Sequence, residues 1–276
     1  MRSYPLPSSA RLPVLGIGTW RMGESGRRRA QELDAVRHAL ALGYPMIDTA
    51  EMYGEGVAEE IVGEALAGNR QRPFIVSKVY PHNATRSGTI AACERSLKRM
   101  GLDRIDLYLL HWRGGVRLAE TFEAFHRLRE AGKIADFGVS NFDLADMEAA
   151  ARLDNGLTAS NQVLYCLSRR GPEFDLLPWM RGHSIPLMAY SPLDQGRLLQ
   201  KAPLEKIAAE LRCTPAQLAI AWLLAQPNVV TIPKSSTRDR VEENLGALDV
   251  ILTPDVLAEL DRTFPPPRHK QTLEML

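Results

Sequence analysis

The chain has 276 residues, of which 45% are hydrophobic and 24% are charged, a composition typical of a globular protein with a sizeable core. Lys and Arg together number 34 and Asp and Glu 33, so the formal net charge is +1. This balance lacks the electrostatic signature of proteins that bind nucleic acids or anionic membranes, and we expect neither partner.

Short apolar runs alternate along the chain with longer segments of helical periodicity. The runs predict eight strands, at 14–18, 46–49, 74–78, 105–111, 134–140, 159–163, 185–191 and 229–233. The amphipathic segments predict helices at 29–42, 55–67, 87–99, 119–131, 143–153, 172–181, 203–225 and 237–247. Parallel strands need helix-length crossovers, and eight such units close naturally into a barrel. The predicted fold class is therefore α/β, a single (β/α)8 TIM barrel.

The chain outside the eight units predicts three further features. Residues 1–13 are expected to form an N-terminal cap. Thr253-Pro254-Asp255 predicts an extra C-terminal helix at 254–263, because Thr is a favourable N-cap and Pro suits the first helical turn. Residues 265–276, which begin with three prolines, show no periodic core face and predict a surface coil. We expect residues 1–276 to form one domain.

The cysteines bear on the compartment. Cys93, Cys166 and Cys213 are odd in number, widely spaced and without C-x-x-C pairing, so we expect reduced thiols in a cytoplasmic protein. The N-terminus has no apolar stretch typical of a signal peptide, and polar residues interrupt the longest uncharged run, 213–233. The sequence therefore predicts neither a signal peptide nor a membrane span.

Polar residues stand at the predicted strand ends, where barrels of this kind carry their chemistry. In chain order they are Gly18-Thr19-Trp20, Asp48, Lys78, His111-Trp112, Ser140-Asn141, Asn161-Gln162, Tyr190-Ser191 and Lys234-Ser235-Ser236. Because these ends meet at one mouth of a barrel, we expect the residues to surround a single cavity.

Four of these groups suggest proton chemistry. Asp48, Lys78 and His111 would point into the mouth from neighbouring strands, with Tyr53 on the loop after Asp48. An ammonium beside a phenol favours the phenolate, so we expect Lys78 to lower the pKa of Tyr53 towards physiological pH. Tyr53 is then a candidate general acid for a substrate oxygen, with His111 donating a hydrogen bond to the same oxygen.

The sequence resembles the aldo-keto reductase superfamily over essentially the whole predicted barrel. The matching segments are LGIGTW (15–20), IDTAEMYG (47–54), VSK (76–78), DLYLLHW (106–112), GKIADFGVSNF (132–142), NQVLY (161–165), MAYSPL (188–193) and IPKSSTRDRVEEN (232–244). The resemblance implies that Tyr53 is the acid/base, that Asp48 and Lys78 tune it, and that His111 orients the carbonyl. Compact bacterial members of the methylglyoxal-reductase type are the most similar in appearance.

The same resemblance implies NADPH as cofactor. Ser140, Asn141 and Gln162 would hold the nicotinamide carboxamide, and Tyr190 would stack on its ring. The remaining residues that the resemblance places around the cofactor are Gly18, Thr19, Trp20, Asp48, Ser191, Pro192, Leu193 and Ile232.

The segment 234–240 predicts a phosphate site without reference to the family. Lys234, Ser235, Ser236 and Arg240 cluster at the start of a predicted helix, where free backbone N–H groups and the helix dipole also favour an anion. The resemblance assigns this anion as the 2′-phosphate of NADP, with Glu243 and Asn244 facing the adenine.

The substrate side is expected to be a shallow, open pocket bordered by Trp20, Tyr53, His111 and Trp112. The segments after His111 and Tyr190 are short and the tail is brief, so little binding energy would be available for a large ligand. We therefore expect activated aldehydes, such as the 2-oxoaldehyde methylglyoxal, to be preferred over ketones and aldoses.

Two other readings compete with an NADPH-dependent carbonyl reductase that acts as a monomer. One is a nucleotide-bound sensor or binding subunit of the same fold with little turnover. The other is a metal-dependent hydrolase, for which ligands are lacking because His111 is the one histidine at a predicted strand end. We expect no metal site.

Overall fold

A computed structural model describes residues 2–69 and 72–276. Met1, the first residue of the predicted N-terminal cap, lies outside the described residues. The strands within the described residues are β1 (Ser3–Pro5), β2 (Arg11–Pro13), β3 (Ile17–Gly18), β4 (Met46–Asp48), β5 (Phe74–Val79), β6 (Ile105–Leu110), β7 (Ile134–Ser140), β8 (Thr158–Leu164), β9 (Leu187–Tyr190) and β10 (Val229–Thr231). The α-helices there are α1 (Arg29–Ala41), α2 (Val57–Leu66), α3 (Arg86–Met100), α4 (Leu118–Glu130), α5 (Leu144–Asp154), α6 (Leu176–Gly182), α7 (Ala202–Glu210), α8 (Pro215–Ala225), α9 (Arg238–Leu245) and α10 (Pro254–Thr263).

Strands β3 to β10 form one parallel sheet whose spatial order follows the chain order. The sheet closes on itself, because the backbone N–H of Gly16 donates to the Thr231 carbonyl at 3.0 Å and that of Gly18 donates to the Pro233 carbonyl at 3.1 Å. Helices cover the outside, so the strands are buried on both faces, as in β6, where all six residues are buried. The predicted (β/α)8 barrel is confirmed.

The predicted helix at 203–225 is two helices, α7 and α8. Arg212 adopts a left-handed conformation with φ of +54°, which ends the first helix, and Thr214 begins the second. The Thr214 hydroxyl accepts from the Gln217 N–H at 3.2 Å, while the Gln217 side chain accepts from the Thr214 N–H at 3.0 Å. This reciprocal capping box satisfies backbone groups that a continuous helix would have satisfied internally.

The segment predicted as one helix at 172–181 also divides. Pro172 lies in a short 3-10 turn, Gly171–Glu173, and α6 begins at Leu176. The predicted extra helix at 254–263 forms as expected, with the Thr253 hydroxyl accepting from the Val256 N–H.

Strands β1 and β2 pair as an antiparallel hairpin at the end of the barrel where the parallel strands begin. The Ser8 N–H donates to Asp136 Oδ1 at 2.9 Å, near the start of β7, and the Tyr4 hydroxyl accepts from the N–H of Asn228, which precedes β10. The hairpin therefore lies opposite the strand ends that were predicted to carry the site.

Residues 265–276 contain no helix or strand, in agreement with the predicted coil. The tail nevertheless runs along the barrel to its mouth. Lys270 Nζ lies 3.1 Å from Asp175 Oδ2, Leu273 packs against the hydrophobic core, and Arg169 Nη1 lies 2.5 Å from Glu274 Oε1. No helix in the described ranges is long and apolar enough to cross a membrane.

Candidate active site

A cavity of about 250 Å³ opens where the carboxyl ends of the parallel strands meet. Its lining consists of Gly18, Trp20, Asp48, Met52, Tyr53, His111, Trp112, Ser140, Asn141, Gln162, Tyr190, Ser191, Ile232, Lys234, Met275 and Leu276. Most of the predicted site residues thus surround one space, as the strand-end argument anticipates.

Lys78 lies at the floor of this region, completely buried. Its ammonium donates to Asp48 Oδ1 at 2.7 Å, to the Thr49 carbonyl at 2.9 Å and to the Tyr53 hydroxyl at 3.1 Å. These three acceptors match the three donors of an ammonium group. Lys78 therefore holds the Tyr53 hydroxyl in a fixed position relative to Asp48.

The loop that carries Tyr53 depends on glycine. Gly54 has a φ of +56°, and a Cβ added there would lie 2.8 Å from the Met22 carbonyl oxygen. A side chain at this position would combine backbone strain with a steric clash. Gly54 thus lets the 3-10 turn Tyr53–Gly56 pack closely on the loop after β3 and direct the phenol inward.

The protonation state of Tyr53 differs from the prediction. Burial raises the pKa of Tyr53 well above its ordinary value, and the negative charge of Asp48 acts in the same direction. The prediction that Lys78 lowers the pKa of Tyr53 is wrong. Asp48 Oδ1 lies 2.7 Å from Lys78 Nζ, so the carboxylate offsets the ammonium charge, and the closed surroundings disfavour a phenolate. Tyr53 therefore keeps its proton at neutral pH.

His111 is neutral. Burial lowers its pKa well below the ordinary value, and the charge of Lys78 adds to this effect. Its ring packs edge-on against Tyr53 with 5.7 Å between centroids, and its buried Nδ1 has no hydrogen-bond partner among the described residues. A neutral imidazole has one donor and one acceptor nitrogen, so His111 can donate to a carbonyl oxygen beside Tyr53.

Amide and hydroxyl groups form the side of the cavity next to Asp48. Gln162 Nε2 donates to Asp48 Oδ2 at 2.7 Å, and the Tyr190 hydroxyl donates to Asn141 Oδ1 at 2.9 Å. Ser140 Oγ lies within hydrogen-bonding distance of Asn141 Nδ2, at 3.1 Å. Asn141 has a left-handed φ of +58°, a conformation that asparagine tolerates better than most residues. Ser140 Oγ also donates to the Gln162 backbone carbonyl at 2.8 Å, so the four residues predicted to hold the nicotinamide are contiguous.

Lys234 lies at the end of the cavity where the phosphate site is predicted. Burial lowers its pKa. The carboxylate of Glu32 acts against this effect, and the nearby positive charges of Arg28 and Arg240 add to it. Lys234 and Arg240 form no ion pair with a carboxylate among the described residues. The basic run Arg27-Arg28-Arg29 predicts only a solvated start of the first helix, but Arg28, the residue before α1, also lies close enough to act on Lys234.

The other predicted cofactor residues lie outside the lining of this cavity. Thr19 is buried, with its hydroxyl donating to the Asp48 carbonyl at 3.0 Å, and Ser235 is buried while accepting from Asn244 Nδ2 at 2.7 Å. The remaining residues of this group are Pro192, which is buried, Leu193, Ser236 and Glu243, which are half-buried, and Arg240, which is exposed.

The substrate side is more enclosed than predicted. Trp20 and Trp112 line it as expected, but Met52, Met275 and Leu276 line it as well. The expectation of a mouth left open by a brief tail is wrong, because the ion pair between Glu274 and Arg169 turns the tail back over the strand ends. Met52 lies inside the segment IDTAEMYG, whereas no local pattern marks Met275 or Leu276.

In the part of the chain that the structure describes, no group of three or more His, Cys, Asp or Glu side chains is arranged to hold a metal ion. The thiols of Cys93 and Cys166 are buried, and that of Cys213 is half-buried.

Comparison with known proteins agrees with the fold and the motifs. The model of the aldo/keto reductase family matches residues 14–264. Methylglyoxal reductase YeaE of Escherichia coli is 47% identical over 271 residues, covering 96% of this chain and 95% of the relative. Glyoxal reductase of Bacillus subtilis is 35% identical over 258 residues, covering 93% of this chain and 90% of the relative.

Two solved structures of an aldo-keto reductase from Klebsiella pneumoniae superimpose closely on the chain. One, in complex with NADP and acetate, has a TM-score of 0.95 and 46% identity, covering 99% of each chain. The other, in complex with NADPH, has the same TM-score and identity and covers 100% of each chain.

Proposed function

The chain belongs to the aldo/keto reductase family, and from this premise we propose that it reduces small reactive aldehydes, including 2-oxoaldehydes such as methylglyoxal, to alcohols with NADPH. The observation that carries the proposal is the contact of 3.1 Å between Lys78 Nζ and the Tyr53 hydroxyl beside neutral His111. This arrangement presents a phenolic proton and a hydrogen-bond donor to one point of the cavity.

The residues present fit a nicotinamide dinucleotide. The amide groups of Asn141 and Gln162 and the hydroxyl of Ser140 match the donors and acceptors of a carboxamide, and Tyr190 offers an aromatic face beside them. Lys234, with Arg240 nearby and no ion-pair partner within the described residues, matches a phosphate group. NADPH, when bound, supplies the hydride.

The proton is supplied by the chain itself. Tyr53 would donate its phenolic proton to the carbonyl oxygen as the carbonyl carbon accepts the hydride. The π bond of the carbonyl is then replaced by one new C–H bond and one new O–H bond, while the C–O single bond remains. His111 orients the carbonyl oxygen and stabilises the charge that develops on it. Lys78, held by Asp48, stabilises the phenolate that Tyr53 becomes until solvent returns the proton.

The test is consumption of NADPH with methylglyoxal, an aromatic aldehyde, an aldose and a steroid ketone under one set of conditions. We expect the two activated aldehydes to have the highest kcat/KM and NADPH to be preferred over NADH. The variant Tyr53→Phe should lose at least about 10²-fold in kcat, the lower range for acid catalysis, while its affinity for NADPH, measured by fluorescence, is retained.

Each contrary result has a defined meaning. Wild-type protein that binds NADPH but turns over no carbonyl compound would favour the alternative of a nucleotide-bound sensor. Full turnover in Tyr53→Phe would remove the role of Tyr53 as proton donor. An aldose or the steroid as best substrate would refute the proposed substrate class.

We also propose that residues 1–276 form one domain that acts as a monomer in the cytoplasm. The supporting observations are the closed barrel and the buried free thiols of Cys93 and Cys166, which suit a reducing compartment. Light scattering that gives the mass of a dimer, or recovery of the protein outside the cytoplasmic fraction, would contradict this proposal.

A further inference from the structure

A buried carboxylate lies beside the predicted phosphate residues. Glu32, in the first turn of α1, is completely buried. Its Oε2 accepts from the Gly23 N–H at 2.9 Å, but its Oε1 has no hydrogen-bond partner among the described residues. Buried polar atoms are normally paired, because a charge shielded from water and left without a partner is costly. The unpaired oxygen therefore points to a role beyond holding the loop at Gly23.

The side chain that faces this oxygen is that of Arg28. Its Nε lies 3.9 Å from Glu32 Oε1, and 53% of the Arg28 side chain is exposed. The distance is that of an ion pair and is too long for a hydrogen bond. Because Nε is the atom directed to Glu32, both Nη nitrogens are left for another acceptor. No carboxylate within the described ranges pairs with either of them.

Arg28 belongs to the same group of charges as Lys234. Burial is the main cause that lowers the pKa of Lys234, and the charge of Glu32 opposes it. Arg28 and Arg240 lower this pKa further, while Glu24 raises it. Charges at a protein surface affect one another strongly only within about 10 Å in physiological salt, so these five groups occupy one region. Three cations against two carboxylates leave an excess of positive charge where Lys234 lines the cavity.

The contact through Nε decides what the guanidinium can do. A guanidinium that a carboxylate attracts through one nitrogen keeps the donors of its other two nitrogens for a ligand. Two parallel N–H donors match a phosphate group, and a lysine cannot offer such a fork. Lys234 supplies a point charge at this end of the cavity, and Arg28 adds the forked donor beside it.

We propose that Arg28 binds a phosphate group of the nicotinamide dinucleotide together with Lys234, and that Glu32 positions Arg28 for this contact. The inference rests on the proposed function and deepens it, because Arg28 comes from the start of α1 and not from the segment 234–240. The 2′-phosphate and the pyrophosphate of NADPH share this chemistry, and the experiment separates them. Glu32 is a positioning residue, since a carboxylate in contact with the phosphate would repel it.

The experiment measures the Kd of NADPH and of NADH through the quenching of tryptophan fluorescence. Arg28→Met should raise the Kd of NADPH about tenfold, the effect of losing a charge-assisted hydrogen bond. A rise for NADPH alone assigns the contact to the 2′-phosphate, and an equal rise for NADH assigns it to the pyrophosphate. Arg27→Met is the matched control, because Arg27 is the exposed neighbour in the same basic run. It removes the same charge and should change both Kd values by no more than about twofold.

Glu32→Gln separates positioning from simple charge, because the two effects have opposite signs. Removal of a negative charge near a phosphate would by itself tighten binding. Loss of the contact that orients Arg28 weakens binding, and we expect the Kd of NADPH to rise about threefold to fivefold. The glutamine oxygen can still accept from the Gly23 N–H, so the loop keeps its bond. In the Arg28→Met background, Glu32→Gln should not raise the Kd further, since no guanidinium is left to orient.

The outcomes separate this inference from the proposed function. An unchanged Kd of NADPH in Arg28→Met, or an equal rise in Arg27→Met, would overturn the inference and leave aldehyde reduction untouched. Tighter binding in Glu32→Gln would overturn the positioning role of Glu32. Wild-type protein that binds NADPH but reduces no aldehyde would refute the proposed function, and the comparison of Kd values would still decide the role of Arg28. Wild-type protein that binds neither dinucleotide would overturn both.

Discussion

Burial outweighs the effect of a neighbouring ammonium on the pKa of Tyr53. Lys78 and Asp48 form a pair at 2.7 Å whose opposite charges largely cancel. Burial therefore affects the pKa of the neighbouring phenol more strongly than the ammonium charge does. Before the reaction, Tyr53 is therefore a protonated donor. The benefit of Lys78 arises when the proton leaves, because the phenolate then forms 3.1 Å from an ammonium that needs no rearrangement.

This arrangement makes a prediction about pH. We expect kcat for reduction, at saturating NADPH and aldehyde, to stay nearly constant from about pH 6 to 8, the range in which an ordinary histidine titrates. The reason is that the lowered pKa of His111 keeps it neutral throughout, while the raised pKa of Tyr53 keeps it protonated. The measurement is a pH series of initial rates, with circular dichroism at each pH as a control for folding. A transition in kcat centred near 6.5 would show that His111 titrates during turnover.

At the scale of single elements, helix starts differ in how well they are capped. Thr214 before α8 has the full capping box, whereas Thr237 before α9 makes no side-chain capping bond. The difference suits their surroundings, because α8 is packed into the core and α9 begins beside the predicted phosphate residues. Free N–H groups at the start of α9 remain available to an anion.

We expect Thr214→Ala to lower the free energy of unfolding by about 1 kcal/mol, the usual effect of removing a capping side chain. Thr237→Ala is the matched control and should change it by no more than a few tenths of a kcal/mol, since no capping bond is lost. Urea denaturation of both variants measures the difference. Equal losses in the two variants would contradict a stabilising role for the capping box.

The strand ends that carry the site could be predicted from the sequence, whereas one wall of the cavity could not. The apolar runs located the strands, and the strand ends then placed Asp48, Lys78 and His111 together, because a parallel barrel brings all its strand ends to one face. The wall formed by Met275 and Leu276 had no such signal. Its anchor joins Arg169 to Glu274, residues 105 positions apart, and no periodicity encodes a contact of that kind.

The pKa of Tyr53 was mispredicted for a related reason. Sequence placed the ammonium beside the phenol correctly but gave no measure of how far water is excluded from the pair. Burial, which depends on the whole packed barrel, decides the direction of the shift.

For the molecule as a whole, closure of the barrel depends on the contact between the first and last parallel strands. Gly18 lies at this seam, where an added Cβ would be 2.8 Å from the Ile232 carbonyl oxygen. That oxygen belongs to the backbone and cannot turn aside as a flexible side chain would. The absence of a side chain at position 18 therefore lets β3 approach the chain after β10 closely enough to bond.

Accordingly, Gly18→Ala should lower the free energy of unfolding by about 1–3 kcal/mol, the usual range for overpacking. Gly26→Ala provides the comparison, because an added Cβ there meets nothing within 4 Å and the residue has no left-handed φ. Thermal and urea denaturation of both variants would test the seam. Comparable stability of Gly18→Ala and wild type would mean that the strands can separate without cost.

The hairpin of β1 and β2 also gives the molecule a natural attachment point. Ser9 at its turn is exposed and lies on the face opposite the cavity, while the thiols of Cys93 and Cys166 are inaccessible and that of Cys213 is half-buried. A thiol introduced by Ser9→Cys, with Cys213 replaced by Ser, would bind the protein to a bead or an electrode in a single orientation. The mouth would then face the bulk solution, so immobilisation would leave the path of small molecules into the cavity unobstructed.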